Sequence, residues 1–293
     1  MSPILVASCF LLSLFLFFAL VEWAEVFVMW KRKKQDQYFQ DMVAKYKKTA
    51  ENKEELSVEQ QHWIEDIKRL LSLNAIGDEK VSALSELNII TDEEIEQSKE
   101  TQPPAYSFKR ATFGIAFIPL LTIAIATALT LSSISIIGTI YAVISTITIV
   151  AMLFLGIVDQ KSHMIPLEIA IPAFVMALCY VIVIVLSNIS SVLWLFIGCA
   201  ISILVFAIPY IWLLKTKNTI SFGKGDILTI PSYAVIISPL PIAGLIGTII
   251  PMLAAAVYRY SRKTPDKRMP MGPFLAFGAS FSIALLLLIT AWF

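Results

Sequence analysis

The sequence predicts an all-α, polytopic membrane protein: a helix bundle of about eight transmembrane helices with a small helical cytoplasmic insert. Of the 293 residues, 57% are hydrophobic and only 15% are charged, which is far more apolar than a soluble globular domain. Most of the charge is concentrated in one stretch, residues 31–110. The remainder is divided into apolar runs close to the roughly 20 residues that a helix needs to cross a bilayer.

The apolar runs and the polar stretch divide the chain into four predicted parts. These are an N-terminal membrane anchor helix (1–30), a cytoplasmic helical insert (31–110), an additional transmembrane helix (111–134) and a six-helix core (135–293). The eight predicted spans are 3–28, 111–131, 135–158, 165–186, 192–214, 227–240, 242–258 and 272–293, the sixth being short. A basic run follows the first span and none precedes it, which is typical of a retained anchor.

The distribution of lysine and arginine predicts the orientation of these spans. Positive residues near span ends stay in the cytoplasm, and all of them fall on one side when the N-terminus is placed outside. The outer loops 132–134, 187–191 and 239–241 then carry no charge. We therefore expect a multi-pass protein of the cell membrane with both termini outside and residues 31–110 in the cytoplasm.

The polar insert is predicted to be helical. Ser57 with Gln60, and Thr91 with Glu94, have the spacing of a capping box, and an apolar pattern of helical period follows each pair. The sequence of the insert contains no catalytic constellation. Two interpretations stay open: a solvated spacer, or a module that binds a second copy of the chain or another protein partner.

Acidic residues are rare in the apolar part of the chain, where only four occur after residue 110. A charged carboxylate at membrane depth costs roughly 3 kcal/mol or more, so each one is a candidate functional group. Asp266 lies among basic residues in a polar loop and is explained as a solvated charge. Glu168 lies about one turn inside the fourth span, where packing, an interfacial position and a place in the site are alternatives.

The other two acidic residues, Asp159 and Asp226, are predicted to share one face of the membrane. Asp159 ends the third span and Asp226 opens the sixth, with two crossings between them. Both carboxylates are therefore expected at the cytoplasmic boundary. Helices in a bundle pack about 8–10 Å apart, so side chains on facing helices can touch. The sequence permits an aspartate dyad.

Residues 223–226 read Gly-Lys-Gly-Asp, a GxGD pattern. We predict Gly223 and Gly225 as substrate-binding residues, because glycine lets a peptide backbone approach an acid pair without obstruction. The alternative interpretation is structural. The glycines would form a turn, and Asp226 would cap the helix that follows.

Three segments occur in an order that is specific in combination. Segment 159–166 begins with an aspartate and ends with Ile-Pro at the next span, 223–226 carries the GxGD pattern, and 269–276 opens the last span with Met-Pro-Met-Gly-Pro-Phe-Leu-Ala. Over residues 135–293 the chain thereby resembles the type IV prepilin peptidases, including the archaeal preflagellin peptidases. This family shares the GxGD pattern with presenilin-like proteases.

The resemblance implies an aspartic endopeptidase with Asp159 and Asp226 as catalytic residues. Its expected substrate is a pilin-like or archaellin-like precursor that carries a short basic leader before a hydrophobic helix. We expect no cofactor, no metal and no nucleic-acid partner. Bacterial members that also methylate the new N-terminus of their product commonly carry paired cysteines after the first span. Residues 31–110 of this chain contain no cysteine, so methyltransferase activity is not expected. Leu167 stands where bacterial members commonly have asparagine.

In an aspartate dyad the two carboxyls share one proton, so that one activates water while the other protonates the scissile carbonyl. The helix dipole predicts Asp226, which begins a helix, as the base and Asp159, which ends one, as the acid. Two other functions stay open. One is a presenilin-like protease that cuts within transmembrane segments, and the other is a transporter or scaffold that uses the same acidic residues as ion sites.

Overall fold

A computed structural model of the chain describes residues 3–52, 55–72, 78–91, 93–94, 111–132, 136–162, 165–215, 224–261 and 271–292. Within these residues every regular element is a helix, which confirms the all-α fold class. The helices are α1 (Pro3–Glu51), α2 (Val58–Ser72), α3 (Asp78–Glu86), α4 (Ala111–Ser132), α5 (Ile136–Ser162), α6 (Leu167–Leu186), α7 (Val192–Lys215), α8 (Lys224–Ile237), α9 (Pro241–Ser261) and α10 (Gly272–Trp292).

The apolar helices follow the predicted spans to within a few residues from α4 to α10. Four helices, α1, α5, α6 and α10, contain an apolar window long enough to cross a membrane. In α4, α7, α8 and α9 the apolar stretches among the described residues are 10–17 residues long. The chain is therefore a membrane protein by the length and composition of its helices, and the count of eight spans stays a prediction.

The first helix extends beyond the predicted membrane span. The apolar pattern predicts a span that ends near residue 28, and α1 continues past it to Glu51. No glycine or proline occurs between residues 4 and 57, and lysine, glutamine and glutamate are good helix formers. The basic run at 31–34 therefore ends the apolar segment without ending the helix.

The chain divides into two compact units. The membrane unit comprises Met1–Val28, Phe108–Thr264 and Arg268–Phe293, and the insert unit is built mainly from Met29–Ser107. In the membrane unit α5 packs against α4, α6 and α10, and α10 also packs against α4, α8 and α9. Helix α8 packs in addition against α6 and α7. Helices α5 and α10 thus share a long contact.

The insert unit has an apolar core of its own. The rings of Phe39 and Trp63 meet at its centre with their centroids 6.0 Å apart. The other buried members of this core are Met42, Val43, Ile67, Leu84, Ile89 and Ile90. Because these side chains come from α1, α2, α3 and the turn after α3, the predicted helical character of the insert is confirmed for its described residues.

Both predicted capping boxes are present in the insert unit. The Ser57 N–H donates to Gln60 Oε1 at 2.8 Å, and the Gln60 N–H donates to Ser57 Oγ at 3.3 Å. The Thr91 N–H donates to Glu94 Oε2 at 2.8 Å, and the Glu94 N–H donates to Thr91 Oγ1 at 3.3 Å. Each pair satisfies two amides that a helix start leaves without partners.

Candidate active site

Asp159 is a buried carboxylate in the last turn of α5, with 5% of its surface exposed. The residues that precede it, Ile157 and Val158, are buried and apolar. An ionisable group in such surroundings is stable only when polar groups meet it, because burial without hydrogen bonds is costly. Asp159 is therefore a candidate catalytic residue of the membrane unit.

A backbone amide from the far end of the chain meets this carboxylate. The N–H of Gly272, the first residue of α10, donates to Asp159 Oδ2 at 2.7 Å, and both groups are buried. A hydrogen bond from an amide to a carboxylate is charge-assisted and short. The positive end of the α10 dipole lies at the same point and attracts negative charge. Asp159 thus occupies the N-terminus of α10 as well as the C-terminal turn of α5.

Helices α5 and α10 approach each other closely beside this contact. A Cβ atom built on Gly156 would lie 2.9 Å from the Cβ of Ala276 and 3.2 Å from the Cα of Pro273. Any side chain at position 156 would therefore separate the two helices. Gly156 lies one helical turn before Asp159, and its contact holds the carboxylate at the level where α10 begins.

The position of Asp159 removes the basis for predicting Asp159 as the acid and Asp226 as the base. That prediction assumes that Asp159 lies only at a helix C-terminus, where the dipole disfavours negative charge. The hydrogen bond from Gly272 places the carboxylate at a helix N-terminus too. Since Asp226 also lies in the first turn of a helix, the dipole argument no longer distinguishes the two residues.

Asp226 lies in the first turn of α8, as the sequence predicts, and Gly225 precedes it in the same turn. The side chain of Asp226 and the whole of Gly223 lie outside the described residues. The dyad and its glycine-lined approach therefore stay predictions. The backbone of α8 nevertheless locates Asp226 relative to the rest of the membrane unit.

The helices that carry the two aspartates share two neighbours. Helix α5 packs against α6 and α10, and α8 packs against the same two helices. Asp159 lies in the last turn of α5 and Asp226 in the first turn of α8. Each aspartate is therefore carried at the end of a helix that lies beside the same helix pair.

Contacts further along the helices set the relative level of α8 and α10. The Tyr233 hydroxyl donates to the carbonyl of Gly244 at 2.8 Å, and a Cβ built on Gly278 would lie 2.6 Å from that carbonyl oxygen. Tyr233 of α8 and Gly278 of α10 therefore lie at about the same level. Further on, Ser282 Oγ of α10 donates to the carbonyl of Leu240 at 3.4 Å. The two helices thus run in the same direction.

This register brings the starts of α8 and α10 to one level. Asp226 precedes Tyr233 by seven residues, and Gly272 precedes Gly278 by six. At about 1.5 Å of rise per residue these separations are roughly 10 Å and 9 Å. Asp226 and Gly272 therefore lie at the same level to within about one helical turn. Since Gly272 contacts Asp159, both aspartates lie at the same end of the membrane unit.

The connection after Asp159 leads directly into α6. Ile165 is buried, and the carbonyl of Pro166 accepts the amides of Ile169 and Ala170 at 3.0 Å and 3.1 Å; His163 and Met164 lie outside the described residues. The side chain of Glu168 is exposed in the first turn of α6. This exposure argues against a buried packing contact and fits an interfacial position, where a carboxylate also interacts favourably with a helix N-terminus.

Two glycines with a clear structural role were not singled out by the sequence. In the sequence Gly272 is only part of the segment that opens the last predicted span, and no local pattern distinguishes Gly156. Their role depends on a contact between α5 and α10, which are far apart in the chain. The only local signal was a glycine immediately before a proline at a helix start, which marks a turn as readily as a site.

Comparison of the chain with models of known protein families, with curated proteins and with solved structures gives no match. The resemblance to prepilin peptidases therefore depends on the three sequence segments alone. Two of those segments, 159–166 and 269–276, meet through the hydrogen bond between Asp159 and Gly272. Residues that are distant in sequence thus come together at one buried carboxylate.

Proposed function

We propose that this protein is a membrane aspartic endopeptidase in which Asp159 and Asp226 form the catalytic dyad. The observation that carries the proposal is the buried Asp159 carboxylate at the start of α10. The matching level of Asp226 at the start of α8 supports it. An ionisable group buried beside membrane-crossing helices is a functional candidate by default.

The two carboxyls act on a peptide bond with one proton between them. One ionised carboxylate takes a proton from a water molecule, whose oxygen attacks the scissile carbonyl carbon, while the other carboxyl donates its proton to the carbonyl oxygen. Collapse of the tetrahedral intermediate breaks the C–N bond, and the amine leaves with a proton. Because like charges at short distance cannot both ionise easily, the pair shares one proton at neutral pH.

The proposed substrate is a pilin-like or archaellin-like precursor with a short basic leader. Its basic leader would stay in the cytoplasm, and the hydrophobic helix after it would insert in the membrane. The junction between them would then lie at the cytoplasmic boundary. The distribution of positive charge along the chain predicts the same level for Asp159 and Asp226.

Cleavage of a co-expressed precursor tests the proposal. We expect the parent protein to shorten the precursor by its leader, and Asp159→Asn and Asp226→Asn each to lower the cleavage rate by roughly 10³-fold or more. Asparagine still offers an oxygen to the Gly272 N–H, because aspartate and asparagine are similar as helix caps. Asp159→Asn thereby removes the carboxylate while it keeps the contact with α10.

Asp266→Asn is the matched control, because it removes a carboxylate assigned to a solvated loop, and we expect it to cleave at the parent rate. Mass spectrometry of the product locates the cut. A cut inside the hydrophobic helix would indicate a presenilin-like protease. Full activity in either dyad variant, or the absence of product from the folded parent protein with all precursor classes, would contradict the proposal.

A further inference from the structure

The first turn of α10 has one amide that its own helix does not use. The amides of Phe274 and Leu275 both donate to the carbonyl of Met271, at 3.0 Å and 3.1 Å. Pro273 has no N–H to donate. The Gly272 N–H remains, and it is committed to Asp159 Oδ2. Met271 stands at the capping position without a side-chain oxygen, so a carboxylate from another helix takes the place of a local cap.

Glycine is required at position 272 for space and not for backbone conformation. None of the described glycines has a positive φ, so an L-residue can adopt the backbone of Gly272. A Cβ built there would lie 2.7 Å from both Oδ2 and Cβ of Asp159, and 3.1 Å from its Cγ. Contacts of that length are repulsive. Any side chain at 272 would therefore displace the Asp159 carboxyl group from the amide.

We propose that Gly272 is a positioning residue for Asp159, an inference that rests on the proposed function. Its amide holds Oδ2 as a hydrogen-bond acceptor and thereby limits the rotation of the carboxyl group. A proton carried by Asp159 during the reaction then resides on Oδ1. The Gly-Pro pair at the start of α10 serves this purpose: glycine admits the carboxylate, and proline removes the competing amide.

The contact can be observed directly, without any assay of cleavage. Met271–Gly272 is the one Met-Gly pair in the sequence. Labelling methionine with ¹³C at the carbonyl and glycine with ¹⁵N therefore gives a single cross-peak in a carbonyl–amide correlation spectrum of the full chain in lipid nanodiscs. This cross-peak reports the Gly272 amide. An amide hydrogen-bonded to a carboxylate changes its chemical shift when that carboxylate takes up a proton.

We expect the Gly272 amide signal to move as the pH is lowered through the ionisation of Asp159. In Asp159→Asn the movement should disappear. A signal that does not move in the parent protein, or that moves equally in Asp159→Asn, would show that the amide does not hold the carboxylate and would overturn the inference.

Kinetics of the same reaction separate positioning from packing. We expect Gly272→Ala to lower kcat by about 10²-fold, the size of the effect of a misplaced catalytic group, to alter the pH dependence of kcat and to leave KM nearly unchanged. Gly247→Ala is the matched control, because its Cβ would also press on α10, 3.1 Å from the Cα of Gly278. It lies away from Asp159 and should retain the parent pH profile.

Failure of this inference can be distinguished from failure of the proposed function. If the parent protein cleaves precursors and folded Gly272→Ala does so with the parent kcat and pH profile, the positioning role is wrong and the protease proposal stands. If the amide titrates as expected but the parent protein never cleaves, the protease proposal fails and the positioning role with it. The contact would then be a structural cap of α10.

Discussion

Two polar contacts in the membrane unit form where helices approach through glycine, and they differ in charge. In the first, the Gly272 N–H donates to the Asp159 carboxylate. In the second, the Tyr233 hydroxyl lies 2.8 Å from the Gly244 carbonyl and 2.6 Å from Thr248 Oγ1. The side chains of Tyr233 and Thr248 have no exposed surface. One contact holds a carboxyl group, and the other joins only hydroxyl and carbonyl groups, which are neutral at physiological pH.

This difference separates a packing contact from a functional one. Neutral hydroxyl and carbonyl groups that satisfy each other are an ordinary way to join helices in a membrane. A carboxylate could be replaced there by a neutral acceptor at a lower desolvation cost. Stability alone therefore does not explain why a carboxylate occurs at position 159. Both contacts involve a glycine, so the presence of glycine does not distinguish them. The charge of the carboxylate does.

The largest effect on stability is expected at the neutral contact. A Cβ on Gly278 would overlap Thr248 Oγ1 and lie 2.6 Å from the Gly244 carbonyl oxygen. We expect Gly278→Ala to lower the free energy of unfolding by about 1–3 kcal/mol, the usual cost of overpacking. Unfolding in mixed detergent micelles measures this loss.

Gly247→Ala provides the comparison, because its Cβ would meet Gly278 Cα at 3.1 Å and Phe281 Cδ1 at 3.2 Å, contacts that small shifts relieve. A smaller loss is expected for it. Equal stability of Gly278→Ala and the parent protein would mean that α9 and α10 do not approach as closely as described.

A smaller effect is expected when the hydroxyl of Tyr233 is removed. Tyr233→Phe deletes the contacts with Gly244 and Thr248, but Thr248 Oγ1 still donates to the Gly244 carbonyl at 3.0 Å. Since the groups left behind keep a partner, we expect a loss of about 1 kcal/mol. A double-mutant cycle with Thr248→Val should give a coupling energy of roughly 0.6 kcal/mol. A cycle with zero coupling would contradict the contact between the two hydroxyls.

The sequence predicts the parts of the molecule that depend on near neighbours. The capping boxes of the insert unit join residues three positions apart, and both were predicted correctly. The apolar helices followed from hydrophobic runs for the same reason. The apolar pattern predicts where the first membrane span ends but not where its helix ends, because a helix ends at a breaker or cap and α1 continues to Glu51.

The contact that organises the candidate site could not be predicted in this way. Asp159 and Gly272 are separated by 113 residues, and nothing in either local sequence specifies the other. The order of the three motifs indicates that both segments belong to the candidate site, but it predicts no role for the glycine. The pairing of Asp159 with Asp226 is a prediction of the same long-range kind, and the helix register places the two residues at one level without joining their side chains.

The smallest effect is expected at a carboxylate that makes the same kind of contact in the insert unit. Glu94 accepts the Thr91 N–H at 2.8 Å and pairs with Lys68 at 3.1 Å, but it is partly exposed. The Thr91 amide first, and Lys68 next, lower the pKa of Glu94 below its ordinary value of 4.5. The ionised Glu94 side chain therefore stabilises the folded protein fully when the pH is above the pKa that Glu94 has in the unfolded chain. This stabilisation is lost as the pH falls through the lower pKa of Glu94 in the folded protein.

Comparison of the parent protein with Glu94→Gln isolates this contribution, because glutamine can still accept the Thr91 N–H in a capping box. We expect the variant to be less stable by about 0.5 kcal/mol at neutral pH, the size of an exposed ion pair. In thermal unfolding of the full chain the difference should vanish once Glu94 is protonated in acid. A stability difference that persists in acid would show that the geometry of the cap, and not the charge of Glu94, is responsible. The exposed carboxylate of Glu94 would then not be comparable with the buried carboxylate of Asp159.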